Sequence, residues 1–286
     1  MQQVWFITGS SRGFGRALVQ AALDAGDLVA ATARHPEQLA DFTQRYGDQV
    51  LPLALDVTDE AAVHDAVSAA VERFGRLDVV VNNAGYANVA PIETGDEEDF
   101  RTQFETNFWG VYNVSRAVIP YMKERGGVIV QVSSVGGRVG GSPGIASYQA
   151  AKFAVDGFSR TLAAETKPFG VKVMVVEPSG FATDWAGSSM TIHDIPADYD
   201  PTIGAMHRLM RANAGGPAGD PARAAEIIVR AAKRDNPPGH LLLGGTAADM
   251  SLDYSRRQLD EATRWAAVSR SADFAGSYPA EFPADS

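Results

Sequence analysis

The sequence predicts an α/β fold: one domain built on a doubly wound, seven-stranded parallel sheet with helices on both faces. Short, apolar, β-rich runs alternate with helix-length amphipathic segments, the order produced when crossover helices join parallel strands. The runs at 128–130 and 173–176 are apolar on both faces, as strands covered by helices on both sides are. No repeat of 20 to 50 residues and no Pro/Ser/Gly-rich linker divides the 286 residues, so we expect a single domain.

The alternation places each element of this sheet. We expect strands at residues 3–8, 28–33, 50–55, 77–82, 127–133, 171–176 and 240–243. Helices are expected at residues 14–25, 36–46, 60–74, 97–125, 147–167 and 221–233. Residues 186–219 lack clear periodicity and are interpreted as an insertion on one face, and residues 246–286 as a C-terminal extension. That extension contains a predicted helix at 255–269 and a Pro/Ala-rich tail that we expect to fray.

Composition excludes several classes of protein. A net charge of −10 and a pI near 5.0 argue against a nucleic-acid partner. The absence of cysteine excludes disulfides, zinc–thiolate sites, iron–sulfur clusters and a thiol nucleophile. Neither a signal peptide nor a run of ~18 apolar residues is found, so we expect a cytoplasmic protein with no membrane association. No histidine has a ligand-spaced partner, and no metal is expected; the histidines are His35, His64, His193, His207 and His240.

A glycine-rich turn links the first predicted strand to the first helix. Residues 8–15 are Thr-Gly-Ser-Ser-Arg-Gly-Phe-Gly. Unpaired N–H groups and the dipole at a helix N-terminus bind a pyrophosphate, and glycine allows the tight turn and the close approach of the backbone. A purely structural turn is the alternative, but this position between strand and helix favours a dinucleotide site.

Polar residues follow further strands at the carboxyl edge of the sheet, where ligands of such sheets bind. Asp56 ends the third strand, with helix N-capping as its alternative role. Asn82 and Asn83 precede Ala84 and Gly85 after the fourth strand. They have a turn role as their alternative, but two adjacent asparagines at this edge favour the site.

The end of the second strand predicts which dinucleotide is bound. A carboxylate there accepts from the ribose 2′-hydroxyl of NAD, whereas a cation accommodates the 2′-phosphate of NADP. This chain has no acid at that position and offers Arg34, with Arg12 inside the glycine turn. We therefore expect NADP(H) in preference to NAD(H), with solvated surface arginines as the alternative.

The pair Tyr148 and Lys152 lies near the start of the fifth predicted helix. Their i, i+4 spacing puts phenol and ammonium on one helix face. A free tyrosine titrates near ~10, and a neighbouring ammonium favours the phenolate, so we expect Lys152 to lower the pKa of Tyr148. By itself this spacing is common in helices, but it follows a matching cofactor motif.

Two further polar positions extend this group. Ser133 and Ser134 end the fifth strand at the same sheet edge. Asn107 interrupts the long fourth helix among Phe104, Phe108 and Val111. Asparagine is a mediocre helix former, and its place on an apolar stripe favours a functional role over a solvated one.

From residue 4 to about 185, the chain resembles the short-chain dehydrogenase/reductase family, whose sheet is Rossmann-like. The resemblance rests on Thr-Gly-x₃-Gly-x-Gly, an Asp at the third strand, Asn-Asn-Ala-Gly and Tyr-x₃-Lys, in the family's order. It implies the catalytic residues Asn107, Ser134, Tyr148 and Lys152, with Ser134 holding the substrate oxygen, Ser133 structural, and Asn107 ordering a proton-relay water. It implies cofactor binding by Gly9, Ser11, Arg12, Gly13, Phe14, Gly15, Arg34, Asp56, Val57, Asn83, Ala84, Gly85, Tyr148, Lys152, Pro178, Gly180 and Thr183.

Two features depart from the family pattern. Ser134 and Tyr148 are one position further apart than is usual, and we expect the loop at 140–144 to absorb the extra residue. Ser179 replaces the first glycine of the Pro-Gly segment, which puts the backbone path there in doubt. Thr183 matches the residue that contacts the nicotinamide carboxamide, with helix N-capping as its alternative.

The resemblance implies an NADP(H)-dependent oxidoreductase in which Tyr148 is the general acid/base. The flap at 186–219, with Trp185, Met190, Met206 and Met210, predicts an apolar ketone, aldehyde or secondary alcohol as substrate. A non-catalytic NADP-binding sensor remains the alternative, and an extended epimerase or dehydratase lacks support in the glycine spacing. The family tetramer would use the helices at 97–125 and 147–167 and the last strand. We expect a homo-oligomer, although a helix after Leu243 could cover the last strand and leave a dimer or monomer.

Overall fold

A seven-stranded parallel sheet in the order β3-β2-β1-β4-β5-β6-β7 forms the centre of the molecule. The computed structural model describes residues 2–182, 190–213, 219–273, 275 and 282–283. The strands are β1 Val4–Ile7, β2 Leu28–Ala33, β3 Val50–Ala54, β4 Val79–Asn82, β5 Gly127–Val132, β6 Val171–Pro178 and β7 His240–Leu243. The predicted fold class, a doubly wound Rossmann-like single domain, is confirmed.

Helices cover both faces of the sheet. They are α1 Gly13–Asp24, α2 Ala40–Tyr46, α3 Glu60–Phe74, α4 Glu97–Phe104, α5 Gly110–Met122, α6 Gly136–Val139, α7 Ala146–Thr166, α8 Ala205–Asn213, α9 Pro221–Ala232 and α10 Gly245–Arg270. Apolar residues of α1 and α9 share one core cluster, and those of α3 and α5 share the other. Along β1, Trp5 and Ile7 belong to the first cluster and Val4 and Phe6 to the second, which explains why this strand is apolar at every position.

The strand order reverses between β1 and β4. β1 pairs with β2 on one side and with β4 on the other, in parallel on both. Crossovers therefore leave in opposite directions from the carboxyl ends of these two strands, and a crevice opens there. The glycine turn after β1 and Asn83 after β4 both lie at this edge.

The predicted helix at 97–125 is wrong in its detail. A π-helical segment, Glu105–Trp109, separates α4 from α5, and α5 ends at Met122. Gly126 and Gly127, with φ of 75° and 149°, then lead into β5. The break falls on Asn107, the position that the sequence marked as an interruption.

Two further expectations need correction. The segment predicted to be irregular contains α8, and helix α10 begins at Gly245 rather than at residue 255. Gly244, with φ of 94°, turns the chain directly from β7 into α10, a junction that apolar periodicity does not reveal. Among the helices in the described ranges, none is long and apolar enough to cross a bilayer.

Candidate active site

The glycine turn after β1 packs too closely for side chains. Gly9 and Gly13 have φ of 66° and 55°, and a Cβ at Gly15 would lie 2.2 Å from the Gly9 carbonyl oxygen. Arg12 precedes α1 and gives it no side-chain cap. The N–H groups of the first turn are therefore available to an anion, as a pyrophosphate site requires.

Residues after β4 hold the glycine turn in place through hydrogen bonds. The Asn83 amide donates to the carbonyls of Thr8 at 2.9 Å and Gly9 at 3.1 Å, and the Ala84 N–H donates to the Thr8 hydroxyl at 3.1 Å. Asn82 is buried and donates to Gln131 at 2.8 Å, inside the sheet. Asn83 and Ala84, predicted as cofactor residues, thus hold the cradle, and Asn82 has a structural role.

The residues after β3 divide into one exposed and one buried position. Asp56 is exposed, and one of its carboxylate oxygens accepts from the N–H of Thr58 at 3.0 Å. The N-cap of α3 is Asp59, so the alternative role of Asp56 as that cap is wrong. Val57 is buried, and a Cβ on Gly110 would lie 2.5 Å from it. The side chain of Val57 therefore serves packing.

Two arginines stand exposed beside the crevice. Arg12 lies in the turn and Arg34 directly after β2, and neither forms a salt bridge with any residue in the described ranges. Ser11 in the turn and Phe14 in the first turn of α1 are half-buried, and the Phe14 ring packs edge-on against Phe181 with centroids 4.9 Å apart. Arg12 and Arg34 are thus two cations beside the glycine turn that have no carboxylate partner among the described residues.

The segment after β6 continues the sheet. The N–H of Ser179 donates to the carbonyl of Leu243 at 3.0 Å, and the Pro178 carbonyl accepts from Val135 N–H at 3.0 Å. Described residues other than glycine have no positive φ, so serine is accommodated at 179 and the doubt about this path is removed. Gly180 is exposed at the same edge, and Thr183 and Trp185 lie outside the described residues.

Helix α7 and the end of β5 bring Ser134, Tyr148 and Lys152 together. The Tyr148 and Ser134 hydroxyls are hydrogen-bonded. The Lys152 Nζ donates to the Val132 carbonyl at 2.7 Å and lies 5.6 Å from the centroid of the Tyr148 ring. Tyr148 is 7% exposed and Lys152 is 4% exposed, so both ionisable groups are shielded from water.

Burial reverses the expected pKa of the tyrosine. It raises the pKa of Tyr148 to about 12, against which the Ser134 hydrogen bond acts only in part. Burial also lowers the pKa of Lys152 to about 8, because a low-dielectric environment disfavours the ammonium. The expectation that Lys152 lowers the pKa of Tyr148 is therefore wrong for the protein groups alone: the site holds a neutral phenol.

Asn107 is fully buried inside the π-helical segment. Its amide nitrogen donates to the carbonyls of Tyr86 at 2.8 Å and Gln103 at 2.7 Å, and its oxygen accepts from the Tyr86 N–H at 3.2 Å. A side chain at Gly85 would lie 2.5 Å from this oxygen and 3.6 Å from Lys152 Nζ. Asn107 and Lys152 thus flank Gly85, and Gly85 leaves the space between them open.

The loop between Ser134 and Tyr148 absorbs its extra residue through glycines. Gly140, Gly141 and Gly144 all have positive φ, of 64°, 77° and 87°. Gln149, which the sequence did not single out, accepts from the N–H of Ser142 at 3.1 Å and so ties the loop to α7. Separately, Ser133 is buried and donates to the Lys152 carbonyl at 3.2 Å, which confirms its structural role.

An apolar cluster surrounds the tyrosine. It consists of Ala87, Val89, Ile145, Tyr148 and Ile203, with Met190, Ile195 and Tyr199 packed against it. A short parallel bridge pairs Val89 with Ile192 of the flap. Met190 was predicted at this site, whereas Val89, Ile145 and Ile203 were not, because single apolar residues in separate loops carry no local signal.

One histidine does gain neighbours through the fold. His240 on β7 lies 2.6 Å from Asp156 on α7, and ligand atoms of both lie within 4.8 Å of Glu177. Arg160 pairs with Asp156 at 2.8 Å, and Arg138 pairs with Glu177 at 2.9 Å. The expectation that no histidine has a ligand-type partner is therefore wrong, because the fold brings His240 close to two carboxylates that are distant in the sequence. Each of these carboxylates is already paired with an arginine, so we interpret the group as an ion-pair network.

These residues fit a nicotinamide dinucleotide. The glycine turn and the uncapped N-terminus of α1 suit the pyrophosphate. Ser134 follows β5, the strand next to β4, so Ser134 and Tyr148 lie at the same edge of the sheet as the glycine turn. Comparison with known proteins gives the same class. The family model described as short chain dehydrogenase matches residues 3–191. The oxidoreductase BOA17 of Botryotinia fuckeliana is 48% identical over 251 residues, which cover 87% of this chain and 91% of that protein.

Solved structures agree with the fold. A short-chain dehydrogenase from Streptomyces avermitilis is 38% identical with a TM-score of 0.89, covering 95% of this chain and 98% of that one. A Burkholderia cenocepacia short-chain dehydrogenase in complex with NADP has a TM-score of 0.73 at 27% identity, covering 92% and 98%. The 3-ketoacyl-(acyl-carrier-protein) reductase of Brucella melitensis, complexed with NADH, has a TM-score of 0.72 at 27% identity, covering 86% and 98%.

The chain belongs to the short-chain dehydrogenase/reductase family. It is an NAD(P)-dependent oxidoreductase.

Proposed function

We propose that this enzyme interconverts an apolar ketone or aldehyde and its alcohol, with NADP(H) as cofactor and Tyr148 as general acid/base. The observation that carries the proposal is the hydrogen-bonded pair of Ser134 and Tyr148 beneath an apolar cluster. Two adjacent hydroxyls can both form hydrogen bonds to one oxygen atom of a substrate. The apolar residues around them favour a substrate with hydrocarbon on either side of that oxygen.

The neutral phenol defines the proton step. When bound, the nicotinamide supplies or accepts the hydride. Tyr148 donates its proton to the substrate oxygen during reduction, and Ser134 donates a hydrogen bond to the same oxygen as charge develops on it. Lys152 Nζ lies 5.6 Å from the centroid of the phenol ring, and its ammonium form stabilises the phenolate left behind. The open space at Gly85, next to Lys152 Nζ, gives water a place from which to return the proton.

The choice of NADP(H) rests on Arg12 and Arg34. Both guanidinium groups are exposed and are not engaged by carboxylates of the described residues. A dianionic 2′-phosphate placed between them would form charge-assisted bonds, whereas a ribose hydroxyl would gain little. Proteins of similar fold are known with NADP and with NADH, so the fold does not decide the preference and the proposal rests on these two side chains.

A homo-oligomer accompanies this function. Aromatic rings of α5, α7 and the π-helical segment form a partly exposed cluster. In it, Tyr112 packs edge-on against Phe158, with centroids 6.0 Å apart, and against Trp109, with centroids 5.5 Å apart. Trp109 is 42% exposed. An aromatic surface of this kind is suited to burial against a second copy of the chain.

A carbonyl screen tests the proposal. The purified enzyme is mixed with NADPH and a panel of aliphatic ketones, aryl ketones, aldehydes, sugars and charged oxoacids, and NADPH consumption is followed. We expect turnover of apolar carbonyls. Turnover confined to sugars or highly charged carbonyls would refute the substrate class, and no turnover of any carbonyl with NADPH, or of the matching alcohols with NADP⁺, would leave the non-catalytic sensor as the better account.

A further inference from the structure

Helix α10 extends away from the sheet without burying its length. It runs from Gly245 to Arg270, yet only Ala247 and Ser251 of this helix are buried. Leu252 is 53% exposed and Leu259 is 67% exposed. A helix of this length is about 39 Å long at 1.5 Å per residue, so most of it projects beyond the turns packed on the body.

The exposed face of α10 carries an apolar seam. Small or apolar residues recur at alternating steps of four and three, the spacing of a helix that packs on another helix. The seam consists of Ala248, Leu252, Ser255, Leu259, Ala262 and Ala266. At 3.6 residues per turn, the acids and arginines of α10 fall mainly on the opposite side. The seam therefore makes α10 amphipathic, and the exposed part of the seam has no packing partner among the residues that the structure describes.

Other occupants of the seam are disfavoured. Phe282 of the tail packs edge-on against Trp265 with centroids 5.7 Å apart, and Trp265 lies about a quarter turn from the seam. An anionic membrane would be repelled by a protein of net charge −10. The charges of α10 sum to zero, so the helix has no excess of positive charge for an anionic surface. Its four acids and four arginines are Asp249, Asp253, Asp260, Glu261, Arg256, Arg257, Arg264 and Arg270.

Charge at the two ends of α10 points to a second copy of this chain. In an antiparallel pair of α10 helices, Asp249 at the start of one seam lies beside Arg270 at the end of the other, and the same contact repeats by symmetry. In a parallel pair the two Asp249 side chains would lie at one end and the two Arg270 side chains at the other, so neither charge would meet an opposite one. Small residues such as Ala262 and Ala266 would allow the two helices to approach closely.

We propose that α10 is a dimerisation arm, which pairs antiparallel with α10 of a second copy through the seam. This contact is separate from the aromatic surface on α5 and α7, and it does not depend on the substrate or the cofactor. Where both surfaces are used, a tetramer forms; where α10 acts alone, a dimer forms. In either case, loss of the α10 contact halves the mass of the assembly.

Sedimentation velocity on the full chain tests the arm. The double variant Leu252→Glu/Leu259→Glu should halve the sedimenting mass, while Arg257→Glu, which makes the same change in net charge on the opposite face, should leave it unchanged. Circular dichroism and NADPH titration verify that each variant is folded. A wild-type monomer at micromolar concentration would overturn the proposal, and so would a double variant that retains the wild-type mass.

A charge exchange tests the antiparallel orientation. Asp249→Lys or Arg270→Glu alone should weaken the assembly about tenfold at low salt, since each places like charges opposite one another. The double variant Asp249→Lys/Arg270→Glu should restore it, because the exchanged charges again meet with opposite sign. Failure of the double variant to recover affinity would overturn the antiparallel arrangement.

Discussion

At the scale of single residues, burial sets the chemistry of the catalytic pair. Tyr148 and Lys152 are both enclosed, so each is driven towards its neutral form: the pKa of the phenol rises to about 12, and that of the ammonium falls to about 8. A neutral phenol is ready to donate a proton to a carbonyl oxygen. The sequence predicted that Tyr148 and Lys152 lie together, but it could not predict the direction of the tyrosine pKa shift, because burial depends on distant elements such as the flap.

Removing the proton donor tests the role of Tyr148. We predict that Tyr148→Phe lowers turnover roughly 10²- to 10⁴-fold, the usual contribution of a positioned general acid, with NADPH affinity nearly unchanged. Steady-state kinetics and fluorescence titration measure the two quantities. Tyr121→Phe, an exposed tyrosine that contacts Ser68, is the matched control and should change neither. Wild-type turnover in Tyr148→Phe would contradict the mechanism.

The lowered pKa of Lys152 predicts a pH-dependent stability. Between pH 8 and 10.5 the unfolded chain binds more protons at this residue than the native chain does. The contribution of Lys152 to the free energy of unfolding therefore rises with pH. Relative to Lys152→Met, the wild-type free energy of unfolding should gain about 2 kcal/mol from pH 7.5 to 10. Urea denaturation of both proteins at the two pH values measures this. A difference that stays constant or falls with pH would show that Lys152 is not desolvated.

At the scale of elements, the π-helical segment is built around Asn107. Its side chain forms hydrogen bonds with three backbone groups, which are the N–H and the carbonyl of Tyr86 and the carbonyl of Gln103. In a regular α-helix the Gln103 carbonyl would accept from the backbone N–H of Asn107 instead. A period of 3.6 residues over 97–125 predicts one continuous helix, so the break could be located from Asn107 but its geometry could not. The bulge depends on the loop at Tyr86, which is far away in the sequence.

Shortening this side chain should damage both structure and activity. Asn107→Ala leaves buried N–H and C=O groups unpaired, and we predict a loss of about 2 to 4 kcal/mol in unfolding free energy together with slower turnover. Asn113→Ala, on α5 of the same helical run, loses a single bond to the Val57 carbonyl and should cost about 1 kcal/mol with normal turnover. Chemical denaturation and kinetics distinguish them, and equal effects of the two variants would contradict this account.

Ile203 of the flap is part of the apolar cluster that we propose as the wall of the substrate pocket. Ile203 is buried against Tyr148 and Val89, whereas Leu209 on α8 of the same flap is 56% exposed. Ile203→Ala should lower kcat/KM for small apolar ketones about tenfold and favour bulkier ones, since a truncated pocket loses contacts worth about 1 to 3 kcal/mol. Leu209→Ala should leave the substrate profile unchanged. A profile unaffected by Ile203→Ala would remove Ile203 from the pocket.

At the scale of the whole molecule, the sequence carried most of the fold. Parallel strands buried on both faces are apolar throughout, so β1, β4, β5 and β6 were apparent. The glycine turn and Asp56 marked the carboxyl edge of the sheet, at which sheets of this kind bind ligands. Features that depend on contacts between distant segments were not apparent. Examples are the apolar cluster around Tyr148 and the ion-pair network at His240.

Fluorescence titration with NADPH and NADH tests most directly the proposal that Arg12 and Arg34 make this enzyme prefer NADP(H). A charge-assisted bond of about 1.5 to 3 kcal/mol from each arginine predicts that Arg12→Ala or Arg34→Ala weakens NADPH binding about tenfold to a hundredfold and leaves NADH binding nearly unchanged. Arg101→Ala, from an exposed pair with Glu97 on α4, should alter neither. Equal affinity of the wild-type protein for NADPH and NADH would show that the two arginines are only surface charges.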